Sequence, residues 1–335
     1  MIPLPLRSTV PASRRFLPAL LTLAVLALPG WPDAALAETA PADIALPQGF
    51  DYPNGIAGGP QGGLFVGSVI SGDILRIAPD GTVARAFEET EDRFAGTALR
   101  FDPQSGLLWV ASPDFLGQEV NGERVRRPHR IAAVDVAEGR VVWSSAIPDE
   151  GFANDFALDG AGGIYITDSI RDRVLHLAGP GAAFETVTSD PLFAPGALGP
   201  AGIARLGGGD LVVGLYSEGA LLRVRMGDAG AEVTPLPLAR QIENPDGLAV
   251  APDGRLLVLE GAVQSGNGRL LAIDLNASAP LPVETLAEGL DMPLNLTVVG
   301  NRVAVTEGRL RHFMLDDPSL GVPTSFRVVF VPLGG

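Results

Sequence analysis

Three oxygen-bearing side chains, Asn54, Asn154 and Asp246, occupy one equivalent position in a motif that the chain repeats six times. Two carboxamides and a carboxylate are donors suited to a hard cation such as Ca2+, which takes several oxygens in a flexible arrangement. An ion held there would polarise a carbonyl or phosphoryl oxygen and lower the pKa of a bound water. Asp246 is the one member of the set able to act as general base beside it. The other three members are Thr97, Ala201 and Leu294. Asn-Gly, Asn-Asp and Pro-Asp-Gly are also ordinary turn sequences, and Pro-Asp-Gly recurs at Pro79–Gly81 and Pro252–Gly254. Register alone separates Asp246 from Asp80 and Asp253.

The elements that must position these residues are short antiparallel strands. Phe152–Leu177 shows the plan: an apolar strand, a Gly-rich turn (Asp159–Gly163), a second strand, a polar turn and a third strand. β-Branched and aromatic residues between Gly, Asp and Ser punctuation carry that reading. The plan starts again at Pro53, Gly96, Pro200 and Pro245, and in a worn copy at Met292. From Asn54 through Thr97, Asn154, Ala201 and Asp246 to Leu294, the equivalent positions lie 43, 57, 47, 45 and 48 residues apart. A period in the forties with four short strands per unit predicts a propeller blade. Six copies predict an all-β, six-bladed β-propeller of four-stranded antiparallel blades around a central channel. The first strand of each blade lines that channel, so its first residues gather at the mouth. Ile44–Leu46 is expected to pair with the last blade and cover an exposed sheet edge, with Ser325–Val331 as the final strand. The longest step hides an insertion, Asp114–Arg130, with four arginines; it reads as a solvated surface loop or, more sharply, as a lid over the channel.

Bulk properties set the bounds. The 335 residues carry a net charge of −15 with 46% hydrophobic residues, no cysteine and no lysine. Arg7, Arg14 and Arg15 precede an apolar run, Phe16–Leu28, too short to span a bilayer, and Ala35-Leu36-Ala37 has the form of a cleavage signal. Residues 1–37 are therefore expected to be a secretory signal peptide, leaving a single propeller domain over 38–335 that is periplasmic or secreted. Ser13-Arg14-Arg15-Phe16-Leu17 hints at twin-arginine export. Removing this segment takes away three arginines and one aspartate, so −15 becomes −17. Such an acidic balance disfavours nucleic acid and anionic membrane as partners, and no second apolar stretch is long enough for a membrane helix. Without cysteine, neither disulfides nor thiolate chemistry is available.

Other constellations are weaker. His129, His176 and His312 show no ligand spacing, and the last two fall in expected third strands, where packed histidines are common. Neither a G-x-S-x-G elbow nor a phosphate-cradling glycine motif is present, which removes the hydrolase-triad and nucleotide readings. Asp168, Glu260 and Glu307 end second strands and read as structural turn residues.

The strings NDFALDGAGGIYITDS, LRFDPQSGLLWVAS and PDGLAV resemble the senescence-marker-protein/gluconolactonase/luciferin-regenerating-enzyme family of six-bladed propellers, over nearly all of the chain beyond residue 37. The resemblance implies a divalent ion, usually Ca2+, at the channel mouth and hydrolysis of sugar lactones or organophosphate esters. It implies a site of one Glu on blade 1, two Asn and one Asp. Carried over by position, Asn154 and Asp246 match; Asn54 stands where the Glu is expected and Ala201 where the second Asn is expected. The leading expectation is thus a lactone or ester hydrolase with Asn54, Asn154 and Asp246 around a divalent cation. The competing one is a non-catalytic propeller that binds a small ligand or a protein through its loops. A strictosidine-synthase-like enzyme is a third, without a positive signal in the channel residues.

Overall fold

The second strand of each blade is buried on both faces, which is what a stack of sheets requires. A computed structural model describes residues 43–115, 117–194, 198–227 and 230–334; the expected signal peptide lies outside these residues. Strand β1 is Ile44–Ala45. Blade 1 follows as β2 Pro53–Gly58, β3 Leu64–Ser68, β4 Ile74–Ile77 and β5 Val83–Arg85. Blade 2 holds β6 Ala98–Asp102 and β7 Leu107–Ser112, a small inserted hairpin of β8 Gln118–Val120 and β9 Glu123–Val125, then β10 Arg130–Asp135 and β11 Arg140–Ala146. Blade 3 is β12 Ala153–Leu158 to β15 Phe184–Thr188, through β13 Ile164–Asp168 and β14 Arg173–Leu177. Blade 4 is β16 Pro200–Arg205, β17 Leu211–Leu215, β18 Ala220–Gly227 and β19 Gly230–Pro235. Blade 5 is β20 Pro245–Val250, β21 Leu256–Glu260, β22 Gly268–Ile273 and β23 Glu284–Leu290. Blade 6 is β24 Pro293–Val299, β25 Arg302–Glu307 and β26 Arg327–Pro332, completed on its outer edge by β1.

The six blades are four-stranded antiparallel sheets, and β8–β9 is a separate two-stranded one. The inner strands β2, β6, β12, β16, β20 and β24 touch one another in a closed circle. Ile44 pairs with Val328, so the N-terminal strand joins the last blade as expected.

The core is divided the same way. Six apolar clusters each lie between two neighbouring blades. In β21, Leu257 and Leu259 pack towards blade 6, whereas Leu256 and Val258 pack towards blade 4. A seventh cluster, with Val69, Ala201, Tyr216, Met292 and Leu294, sits where the inner strands begin.

One element departs from expectation. The segment after Glu307 was expected to run directly into a third strand through His312. Instead Gly308 abuts Leu294 and Arg309 turns at φ 55°. The chain then forms a short helix, α1 Arg311–Met314, and the strand is delayed to β26. Leu310, Phe313 and Met314 have helical rather than alternating spacing, and that periodicity carried the signal.

Candidate active site at the channel mouth

Five of the six first strands enter their sheets through an irregularity, and β6 alone pairs without a break. In blades 1, 3, 4 and 5 the pairing breaks at the same place: Pro53/Ile56, Ala153/Phe156, Pro200/Ile203 and Pro245/Leu248. A bulge leaves residues unpaired and re-aims their side chains, and the residues inside these breaks are Asn54, Asn154, Ala201 and Asp246. The glycine that follows three of them is required by crowding, not by a turn. A Cβ on Gly55 would lie 2.7 Å from the Gly96 carbonyl oxygen, and one on Gly247 would lie 2.8 Å from the Asn295 Cα. In Pro79–Gly81 and Pro252–Gly254 the glycines have φ of 85° and 88° with open space around them. Those are turns, in which Asp80 and Asp253 accept the amides of Thr82 and Arg255 at 2.9 Å and 3.0 Å.

Asn54, Thr97, Asn154, Asp246 and Leu294 all line one cavity of about 550 Å3, its open mouth included. Ala201 is fully buried in the apolar cluster beside it. The rest of the lining is almost entirely carbon: Val69, Phe115, Phe152, Leu198, Leu310 and Met314 among others. Among the described residues, the side chains of Asn54, Asn154 and Asp246 form no hydrogen bond to the protein, whereas the Thr97 hydroxyl lies 3.5 Å from the Ala111 carbonyl. Three polar groups therefore face the cavity with their bonding capacity free. All three are half-buried and open to the cavity, so they are available to something that enters.

Burial, with the charge of Asp155 added, pushes the Asp246 carboxyl well above the usual carboxylate range. Tyr216, also on the cavity wall, has its hydroxyl pushed up by burial and by Asp246. Asp155 follows Asn154 and points one layer deeper into the channel. Arg100 Nη2 lies 2.8 Å from its carboxylate, and Asn295 donates from Nδ2 at 3.3 Å. Arg100 Nη1 also reaches Asn295 Oδ1 at 3.3 Å. Burial raises the Asp155 carboxyl against the opposing pull of Arg100. This plug of three side chains from blades 2, 3 and 6 lies beneath the site. Sequence reasoning passed over Asp155, Arg100, Asn295 and Tyr216; the first two stand inside quoted strings, but their meeting depends on which blades face each other.

The residues present fit a hard divalent cation in kind, since the free groups are one carboxylate and two amide oxygens. Among the described residues no cluster of three His, Asp or Glu side chains accompanies them.

The second-strand carboxylates are structural, as expected. Asp168 accepts the Phe152 amide at 2.7 Å and Arg173 Nε at 3.0 Å. Glu260 accepts the Glu243 amide at 2.8 Å and is clamped by Arg240 and Arg269. Glu307 accepts the Asp291 amide at 2.8 Å and Arg327 Nε at 2.7 Å. Each ties down the segment that feeds its own blade's inner strand. His176 is packed on Tyr165 and bonded to Asp159 at 2.9 Å, while His312 lies in α1 against Tyr52, not in a third strand. The blade 2 insertion contributes to the cavity at its root and is solvated further out. Its root, closed by Asp114 accepting the Arg127 amide at 2.8 Å, places Phe115 in the cavity wall; Arg124 and Arg126 near its tip are exposed.

No protein-family model matches the sequence, and no curated protein matches it significantly. Solved structures share the fold. A gluconolactonase from Xanthomonas campestris is 16% identical, with 87% of this chain and 99% of that one covered and a TM-score of 0.57. A catalytically inactive histidine-to-alanine variant of virginiamycin B lyase from Staphylococcus aureus, solved with quinupristin, is 14% identical, with coverage of 85% and 82% and a TM-score of 0.54. A PQQ-bound aldose sugar dehydrogenase from Streptomyces coelicolor is 13% identical, with coverage of 87% and 97% and a TM-score of 0.54. At these identities the likeness concerns the fold alone; the six blades are counted in this chain's own sheets. Different chemistries use that fold.

Proposed function

We propose that the channel mouth hydrolyses a lactone or ester, with Asn54, Asn154 and Asp246 holding a divalent cation of the Ca2+ kind. The observation that carries this reading is the convergence of three unpartnered polar side chains in an otherwise apolar cavity, one of them a carboxyl whose proton affinity is raised. The gluconolactonases among the structural neighbours support it. A bound cation would supply positive charge opposite the carbonyl oxygen. Asp246 takes a proton from water as the water oxygen bonds to the carbonyl carbon. The ester C–O bond then breaks, and the proton passes to the departing alkoxide oxygen. Burial raises the Asp246 carboxyl; a bound cation would oppose that shift and keep the base ionised. Tyr216 keeps its proton and packs in the wall next to Asp246. Among the described residues no histidine lines the cavity, so the lyase, inactivated by loss of a histidine, is the poorer analogue.

The reading includes export, with residues 1–37 removed; mass spectrometry of the mature N-terminus tests that part. The chemistry is tested by calorimetric titration of chelator-treated protein with Ca2+, beside Asp246→Ala, followed by a lactone and ester screen. Saturable heat in the parent protein that vanishes in the variant supports the cation site. No heat at concentrations of about 1 mM, the weak end of protein sites, removes the cation from the reading.

A second reading, ligand binding without turnover, draws on Ala201 and Leu294 being buried apolar members of the set and on a single carboxylate at the mouth. The exposed Arg124 and Arg126 offer a protein partner in that case.

A further inference from the structure

We infer that the compound taken up at the channel mouth is an apolar lactone or ester, with one carbonyl group and an alkyl or aryl body, and not a sugar lactone. This rests on the hydrolase reading for the reactive group and on the cavity wall for everything else. The polar side chains belong to the first residues of inner strands: Asn54 and Asp246 on β2 and β20, Asn154 on β12 and Thr97 just before β6. The walls outward of them come from connecting segments and are carbon: Phe115, Leu198, Leu310 and Met314. The floor below is closed by Asp155, Arg100 and Asn295, whose polar atoms bond one another. The cavity thus has one polar end and an apolar body. Its enclosed space is about 70 Å3 and opens outwards, so it seats the reacting group and the first part of the body.

A sugar lactone carries a hydroxyl on nearly every carbon. Each hydroxyl brought against Phe115, Leu198, Leu310 or Met314 would lose water and find no partner, a cost that accumulates with every group. An alkyl or aryl body gains from the same walls. An aromatic path continues the wall outwards: the Phe115 ring centroid lies 6.4 Å from that of Phe152 and 6.1 Å from that of Phe313, which is 43% exposed. A longer body would lie along this path with its carbonyl held at the strand ends. Hydrolysis then opens the ring C–O bond by addition of water, giving a hydroxy acid, and no further reactant is required.

The test is a homologous series on the purified protein: δ-valerolactone, δ-octalactone, δ-decalactone and D-glucono-δ-lactone. kcat/KM should rise about fourfold per added methylene until the cavity is filled, with the gluconolactone the poorest substrate. Calorimetry of the same compounds with Asp246→Asn reads binding without turnover. Phe115→Ala, and Met314→Ala as a second variant, should weaken δ-decalactone about tenfold or more, and by a larger factor than δ-valerolactone. Hydrolysis of the gluconolactone in preference to δ-decalactone would overturn the apolar class while leaving the hydrolase reading intact. Saturable δ-decalactone binding without turnover by any homologue would sink the hydrolase reading and support the apolar cavity. Absence of both binding and turnover would remove both.

Discussion

Pro245-Asp246-Gly247 and Pro252-Asp253-Gly254 stand seven residues apart in blade 5 and are identical in composition. The first enters an inner strand through a bulge, with the Gly247 backbone wedged against Asn295 and Leu294. The second makes an exposed hairpin turn with Gly254 at φ 88°. Burial raises the Asp246 carboxyl; hydrogen bonds from the Arg255 backbone and side chain lower that of Asp253. The comparison teaches that a tripeptide's chemistry is set by what crosses it. Neighbouring strands desolvate one aspartate, and water surrounds the other.

The largest contrast should be catalytic. Asp246→Asn should lower kcat for a hydrolysed lactone by about 10²- to 10⁴-fold, the usual worth of a general base, and Asp253→Asn should leave it unchanged. Equal rates in the two variants would break the comparison.

Stability should move the other way. A carboxyl whose folded pKa is raised binds more protons folded than unfolded, so it weakens folding as pH climbs from its unfolded pKa through its folded one. Asp246→Asn removes that penalty, so the variant should melt higher than the parent protein, by a margin that grows from pH 4 to pH 8. A lower melting temperature across that range would contradict the assigned burial.

The glycines sharpen the point. Gly247→Ala drives a methyl into backbone atoms at 2.8 Å and 2.9 Å and should cost about 3 kcal/mol or more, as overpacking of backbone does. Gly254→Ala meets nothing and should cost about 1 kcal/mol from its left-handed φ. Denaturant midpoints for the pair measure the difference.

Glu260, at the end of the same blade's second strand, is a structural counterpart to Asp246. Its clamp by Arg240 and Arg269 and the Glu243 amide holds its carboxyl below the usual range. Glu260→Gln should cost about 3 kcal/mol at neutral pH, and the deficit should shrink as pH falls through the folded pKa, since the parent protein loses the same charge. A deficit independent of pH would show that packing, not charge, holds this corner. The smallest effect belongs to Asp253→Asn, within about 0.5 kcal/mol for an exposed turn residue.

The blade count, the closing β1–β26 pair and the strand alternation were legible in the residues, because a sheet buried on both faces leaves a short apolar strand between turn signals in every repeat. Register likewise singled out Asn54, Thr97, Asn154 and Asp246, and the cavity gathers them. The third strand of blade 6 was misplaced because Leu310 and Met314 suit either period; Phe313 favours the helical one, and the turn at Arg309 fixes it. The plug of Arg100, Asp155 and Asn295 was not legible at all. Its members lie up to 195 positions apart and meet because the inner strands close into a circle. Local sequence determined the repeat and the ring positions, since burial patterns and turns are properties of a few adjacent residues. Tertiary structure alone decided which oxygens are free, which carboxyl is desolvated and how apolar the walls are, because each depends on side chains delivered by other blades.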